Sequence, residues 1–211
     1  MPRKPFICSP ENPYHLTART NNRTPFSSMT SAWSIMQNYL FFIHHAYRVQ
    51  IMSFVLMDNH FHLLARFPNA NASEAMKYFM RETSRQLSYL DETENHNYGS
   101  RFYRSEIRSY HYFLNAYKYV YQNPVRAGIC NHPAEYKYST LNGLIGRQLL
   151  LVPVQEDLTL FSSIDSTLNW LSTPATTADV EAIQIALKKP VFEISTDRTT
   201  GRKHELETRA L

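Results

Sequence analysis

The chain has 211 residues, a formal net charge of +4, 43% hydrophobic and 19% charged residues. That length suits one domain with an appendage and can bury a sizeable core. With 5 glycines, 11 prolines and 13% aromatics, the chain is not collagen-like, low-complexity or disordered.

Tyr14–Thr20 reads as a first strand, closed by the turn-prone pair Asn21-Asn22. Residues 28–46 read as a helix, with Trp33, Met36, Leu40 and Ile43 near helical spacing after Ser/Thr caps. Residues 47–67 hold two strands, Val49–Leu56 and His60–Phe67, with Met57-Asp58-Asn59 at the turn between them. Residues 71–90 form a second predicted helix, its one-sided face carrying Ala75, Phe79, Thr83 and Leu87. A polar loop over residues 91–100 contains Gly99 and leads to a short strand, Phe102–Ile107. A third helix, Tyr110–Gln122, is predicted to end at Asn123-Pro124.

The order β-α-β-β-α-β-α is that of a ferredoxin-like α+β domain, an antiparallel sheet with helices packed on one face. It is expected over residues 5–130. Residues 131–211 read as a more polar C-terminal extension, with a helix near Thr177–Lys188 and a charged, frayed end. The longest apolar stretches, such as Tyr39–Ile43 and Leu149–Val152, fall far short of a membrane span, and the opening Met-Pro-Arg-Lys-Pro has no apolar signal core. The two cysteines, Cys8 and Cys130, cannot build a four-thiolate zinc site or a disulfide scaffold, and are read as reduced thiols of a cytosolic protein. The basic excess is compatible with a polyanionic partner and, taken alone, does not require one.

Two segments carry chemistry. In Asn59-His60-Phe61-His62-Leu63-Leu64, strand alternation sends His60 and His62 to one face and Phe61 to the other. Two imidazoles with Cα atoms about 6–7 Å apart can chelate one divalent metal, or be two half-exposed histidines with separate hydrogen bonds. The other histidines (His15, His44, His45, His96, His111, His132, His204) form no comparable strand pair. In the third helix, Tyr110, Leu114, Tyr117 and Tyr121 share one face and are expected to pack in the core. Tyr119 lies about 200° round the helix from Tyr117 and has Asn123 one turn above it. That asparagine pairs a phenol with an oxygen ligand, or is simply a helix terminator before proline.

Asn59–Leu64, followed by Tyr117-Lys-Tyr-Val-Tyr-Gln-Asn-Pro-Val-Arg-Ala-Gly128, resembles the HUH single-tyrosine transposases, and most of all the REP-associated tyrosine transposases. Phe102-Tyr103-Arg104 and Glu135–Thr140 also resemble that pattern, so the likeness covers about the first two thirds of the chain. The resemblance implies that His60 and His62 are paired metal ligands, that Tyr119 is the nucleophile, and that Asn123 stands where relatives carry a metal-completing Gln. The chain departs from the pattern at Asn123, one methylene shorter, and at Asp58, where relatives often have Pro and where a turn-shaping role is favoured.

The activity implied is metal-dependent cleavage and rejoining of hairpin-containing single-stranded DNA through a 5′-phosphotyrosine, with Mg²⁺ or Mn²⁺ as cofactor. The implied partner is a REP-like palindrome with a flanking single-stranded guide, and the implied setting is bacterial, cytoplasmic and nucleoid-associated. Homodimer and monomer stay open. The DNA would need phosphate neutralisation and stacking, for which Arg101, Arg104, Arg108, Lys118 and Arg126 cluster along the sequence around the strand and helix leading to Tyr119. Lys77, Arg81 and Arg85 form a one-sided basic stripe on the second helix that either contacts DNA or is solvated beside Glu74 and Glu82. The alternatives are a hairpin-binding protein of the same fold that has lost cleavage and, further off, an RNA-binding domain with aromatic platforms.

Overall fold

Four strands, β1 (Tyr14–Arg19), β2 (Gln50–Met57), β3 (His60–Arg66) and β4 (Tyr103–Glu106), pair antiparallel in the order β2-β3-β1-β4. This is the ferredoxin-like order expected from the sequence. The structure, a computed structural model, describes residues 6–93, 97–155, 157–194, 204–207 and 210–211. His96 and the basic group at 198–203 lie outside the described residues. Among the described residues, no helix is long and apolar enough to cross a membrane.

Two helices, α1 (Met29–Tyr47) and α2 (Ala72–Leu90), cover one face of the sheet. The Ser28 side chain accepts from Ser31 N–H to start α1, as the Ser/Thr cap pattern predicts. Trp33, Met36, Leu40 and Ile43 of α1 and Ala75, Phe79 and Leu87 of α2 meet Leu16, Phe54, Phe61 and Leu63 of the sheet in one core. Phe61 is fully buried there, against the rings of Phe54, Phe79 and Tyr98.

The third helix, α3 (Tyr110–Tyr121), lies against the other face, where Phe113, Ala116, Tyr117 and Val120 pack with Val55, Met57 and Leu64 in a second core. The Ser109 side chain accepts from Tyr112 N–H to start it. Tyr117 and Tyr121 are core residues, as their spacing predicts, and Tyr121 shares a hydrogen bond with the Thr140 hydroxyl at 2.9 Å. Tyr110 is not: it stays 51% exposed, its hydroxyl donating to Asp157, and the buried face of α3 begins at Phe113. Asn123-Pro124 does not stop helical structure either. After a break at Gln122, a further turn, α4 (Asn123–Arg126), starts with Pro124 in its first turn, where the missing N–H costs nothing.

Beyond α4 the chain makes a short turn, α5 (Leu141–Leu144), and two helices, α6 (Ile164–Ser172) and α7 (Thr177–Leu187). The sequence predicts α7 alone; α6 starts at a capping Ser163, whose side chain accepts from Ser166 N–H. Residues 136–140 run beside β2: Leu56 N–H donates to Tyr138 O, and Thr140 N–H to Phe54 O. This covers a sheet edge that would otherwise offer unpaired backbone groups. The charged end was expected to fray. In the described part, Leu206 and Leu211 are buried in the second core, and Leu211 N–H donates to Asn115 Oδ1 at 2.7 Å, because two leucines punctuate the charges.

The sheet lies between the two cores, so truncating its central aromatic should be costly. Phe61→Ala should destabilise the fold by about 3–5 kcal/mol in urea denaturation.

Candidate active site

The alternation that buries Phe61 sends His60 and His62 to the α3 side of the sheet. His60 stands opposite Arg19 of β1 and Met57 of β2, and His62 opposite Thr17 and Val55. Their rings lie 5.0 Å apart, nearly perpendicular. His60 Nδ1 is 2.8 Å from Asn59 Oδ1, while Asn59 Nδ2 donates to Arg23 O at 3.0 Å. The second bond orients the amide, so its oxygen faces His60 and can only accept. His60 therefore carries its proton on Nδ1 and keeps the Nε2 lone pair for a ligand.

His15, which the sequence reading set aside, joins this pair from the neighbouring strand. Its Nε2 is 2.8 Å from His62 Nδ1, with the ring centroids 5.1 Å apart. Strand parity within one segment cannot show such a pair, because the β1–β3 register is a tertiary fact. Burial pushes the pKa of His15 down to about 3, with positive charge at His60 adding to the effect. Burial, and then Arg19, lower His60 to about 4. His62 is held well below the usual imidazole range by burial first and then by its histidine and arginine neighbours. All three are neutral at neutral pH, the state in which an imidazole can bind a metal.

Tyr119 and these imidazoles are brought together. The phenol ring stands edge-on to His62, with centroids 6.0 Å apart. On its other side the Arg126 guanidinium lies over the ring, 4.1 Å from the centroid. Arg126 also donates to Tyr119 O at 3.0 Å and to Asn123 Oδ1 at 2.8 Å, and burial lowers its pKa. Asn123 Nδ2 donates to the carbonyls of Tyr119 and Val120. The asparagine amide thus ties the end of α3 to α4, with one lone pair of its oxygen taken by Arg126.

The other predicted basic residues are not gathered round Tyr119. Lys118 is 1% exposed, with its ammonium 5.4 Å from the Trp170 ring centre, so it is withdrawn from any nucleic-acid-facing surface. It occupies the α3 face next to that of Tyr119, and α6 covers that face. Arg104 stands opposite Leu16, on the α1–α2 side of the sheet, and stacks on Phe6 at 3.7 Å. Arg108 pairs with Glu106 at 3.0 Å, before the start of α3, whose helix from Tyr110 to Tyr119 spans roughly 14 Å at 1.5 Å per residue. Arg101 is exposed. Lys77, Arg81 and Arg85 are exposed on α2, across the sheet from the histidines, and Glu82 pairs with both arginines. Arg19, which the sequence reading missed, is exposed directly opposite His60.

Among the described residues, no three His, Cys, Asp or Glu side chains gather in a form that could hold a metal. The donors on offer are two neutral imidazoles and an amide oxygen. That set fits a divalent cation that takes the rest of its shell from oxygen ligands of water or substrate.

The description "Transposase IS200 like" belongs to the family model that matches residues 9–126. Among solved structures, this fold is similar to that of a REP-associated tyrosine transposase bound to a REP hairpin. The TM-score is 0.58 at 17% identity, over 74% of this chain and 93% of that one. A putative transposase from Deinococcus radiodurans R1 aligns at a TM-score of 0.39 and 15% identity, over 57% of this chain and 94% of that one. No curated protein matches.

The histidine cluster makes stability depend on pH. A histidine whose folded pKa lies below its unfolded value of about 6.5 is protonated more readily in the unfolded chain. Its contribution is complete above about pH 6.5 and is lost as pH falls toward the folded values, about 3 for His15 and about 4 for His60. The melting temperature of chelator-treated protein should therefore drop steadily from about pH 7 to about pH 4.5, and drop less in His15→Phe.

Proposed function

The chain belongs to the IS200-like transposase family, and from that premise we propose that it cuts and rejoins single-stranded DNA carrying a hairpin. Tyr119 is the nucleophile, and His60 and His62 hold a Mg²⁺ or Mn²⁺ ion, with the second lone pair of Asn123 Oδ1 as a third protein donor. The single observation that supports this most is the edge-on contact of the Tyr119 ring with His62, beneath the Arg126 guanidinium. A phenol, two neutral imidazoles and a cationic side chain meet there, groups suited to phosphodiester transfer to tyrosine.

In the reaction proposed, Tyr119 Oη attacks a backbone phosphorus. The Oη–P bond forms as the P–O3′ bond breaks; the phenol gives up its proton and the departing 3′ oxygen takes one up. The products are a 5′-phosphotyrosine and a free 3′-hydroxyl. Because a phosphodiester is exchanged for a phosphodiester, attack by a 3′-hydroxyl on the adduct rejoins a strand without ATP. A cation at the imidazoles would supply Lewis acidity toward a non-bridging phosphate oxygen. His60 and His62 orient by their Nδ1 bonds, Arg126 offsets negative charge developing at the phenol and phosphate, and α3 holds the phenol rigidly on the imidazole side. Arg19, Arg101 and the exposed Tyr103 offer charge and a stacking surface for the strand. The hairpin in this proposal follows the solved relative, which is bound to one.

The test uses an end-labelled hairpin oligonucleotide with Mg²⁺ or Mn²⁺, resolved on a denaturing gel. Wild type should give a covalent protein–DNA band. Tyr119→Phe should abolish that band and retain hairpin affinity, and His62→Ala should abolish cleavage. A band that persists in Tyr119→Phe and disappears with Tyr117→Phe or Tyr121→Phe instead would overturn the nucleophile. Hairpin binding by wild type with no product under either metal would favour a cleavage-silent binding protein.

A further inference from the structure

We propose that His15 is a positioning residue for the metal site: its Nε2 accepts the Nδ1 proton of His62 and so leaves His62 Nε2 free to ligate. This rests on the reading of His60 and His62 as metal ligands, and assigns a task to a third histidine.

The inference starts from the β1–β3 register. Thr17 stands directly opposite His62, and His15 is the diagonal neighbour on the same face, within reach of a long side chain. The two rings meet edge to edge, inclined by 28° with facing nitrogens 2.8 Å apart, and His15 is 2% exposed, so water does not compete for the bond. Two imidazoles joined nitrogen to nitrogen have one proton between those nitrogens, which gives two arrangements. In the first, His62 donates from Nδ1, its Nε2 lone pair is free, and the proton of His15 sits on Nδ1. In the second, His15 donates from Nε2, and His62 carries its own proton on Nε2 and cannot bind a cation.

The surroundings of His15 distinguish the two. His15 Nδ1 is buried with no hydrogen-bond partner among the described residues. The ligating arrangement leaves an N–H unpaired there; the other leaves only a lone pair. Buried orphan N–H groups are the rarer kind, so without a cation the balance leans to the non-ligating arrangement. A cation on His62 Nε2 reverses it. His60 has no such choice, because the amide oxygen of Asn59 can only accept. One ligand is thus set before binding and the other is set by binding, with His15 as the group that permits the change.

The experiment is calorimetric titration of the full chain with Mn²⁺ in the absence of DNA, alongside thermal melts. His15→Phe keeps a ring in that space and removes the acceptor. His15→Gln restores an acceptor oxygen. Losing the outer partner of a metal-bound histidine typically weakens metal affinity by roughly 10–100-fold, and that is the loss expected for His15→Phe. His15→Gln should bind within roughly threefold of wild type, well inside that loss. If His15→Phe fails to fold, His15→Leu makes the same comparison. Wild-type affinity in the Phe or Leu variant, or equal weakening in Gln and Phe, would overturn the role of His15. His60→Ala is the control: if it binds Mn²⁺ as tightly as wild type, the metal reading itself is overturned, and the inference with it.

Discussion

Strand β3 carries the central constraint of this molecule. Its alternation sends Phe61 into the core beneath α1 and α2 and sends His60 and His62 toward α3. A shift of one residue in register would turn two imidazoles in among the aromatic rings beneath α1 and α2 and turn Phe61 out of that core toward α3, so the packing that holds the sheet also aims the histidines. The β1 and β2 neighbours on each side make that register unambiguous. α3 then supplies the phenol from the opposing layer. Its core face, through Phe113, Tyr117 and Tyr121, fixes the helix rotation at which Tyr119 meets His62.

The electrostatics of the site follow from the same burial. Neutral imidazoles result from a lack of water and from mutual proximity, with Arg19 and Arg126 as nearby positive charges. Arg126 is more closely tied to Tyr119 than its place among the basic residues of the sequence would indicate. It covers the Tyr119 ring, holds the Tyr119 carbonyl and bonds Asn123. Asn123, in turn, holds the junction of α3 and α4 by capping carbonyls. The end of α3 is therefore a small hydrogen-bonded unit, and the family match over residues 9–126 closes on its last member.

The basic residues that cluster in sequence around Tyr119 do not cluster in space. Residues near Tyr119 along the chain are dispersed in space: Lys118 goes under α6, Arg104 to the opposite side of the sheet, and Arg108 into an ion pair at the far end of α3. Neighbours on a helix diverge by about 100° per residue, and neighbours on a strand by about 180°, so proximity in sequence does not mean a shared surface. The α2 stripe kept its helical logic but stands across the sheet from the histidines, with Glu82 between its arginines.

By itself the amino-acid sequence determined the order of the four strands and of α1, α2, α3 and α7, the shared strand face of His60 and His62, and the placement of Tyr119 on a different helix face from Tyr117 and Tyr121. These are consequences of local periodicity, which each segment carries within it. The helix α6, the burial of Leu206 and Leu211, and above all the presence of His15 beside His62 were decided by the tertiary structure. Cross-strand register and layer packing set which side chains face each other, and neither is encoded within any single segment.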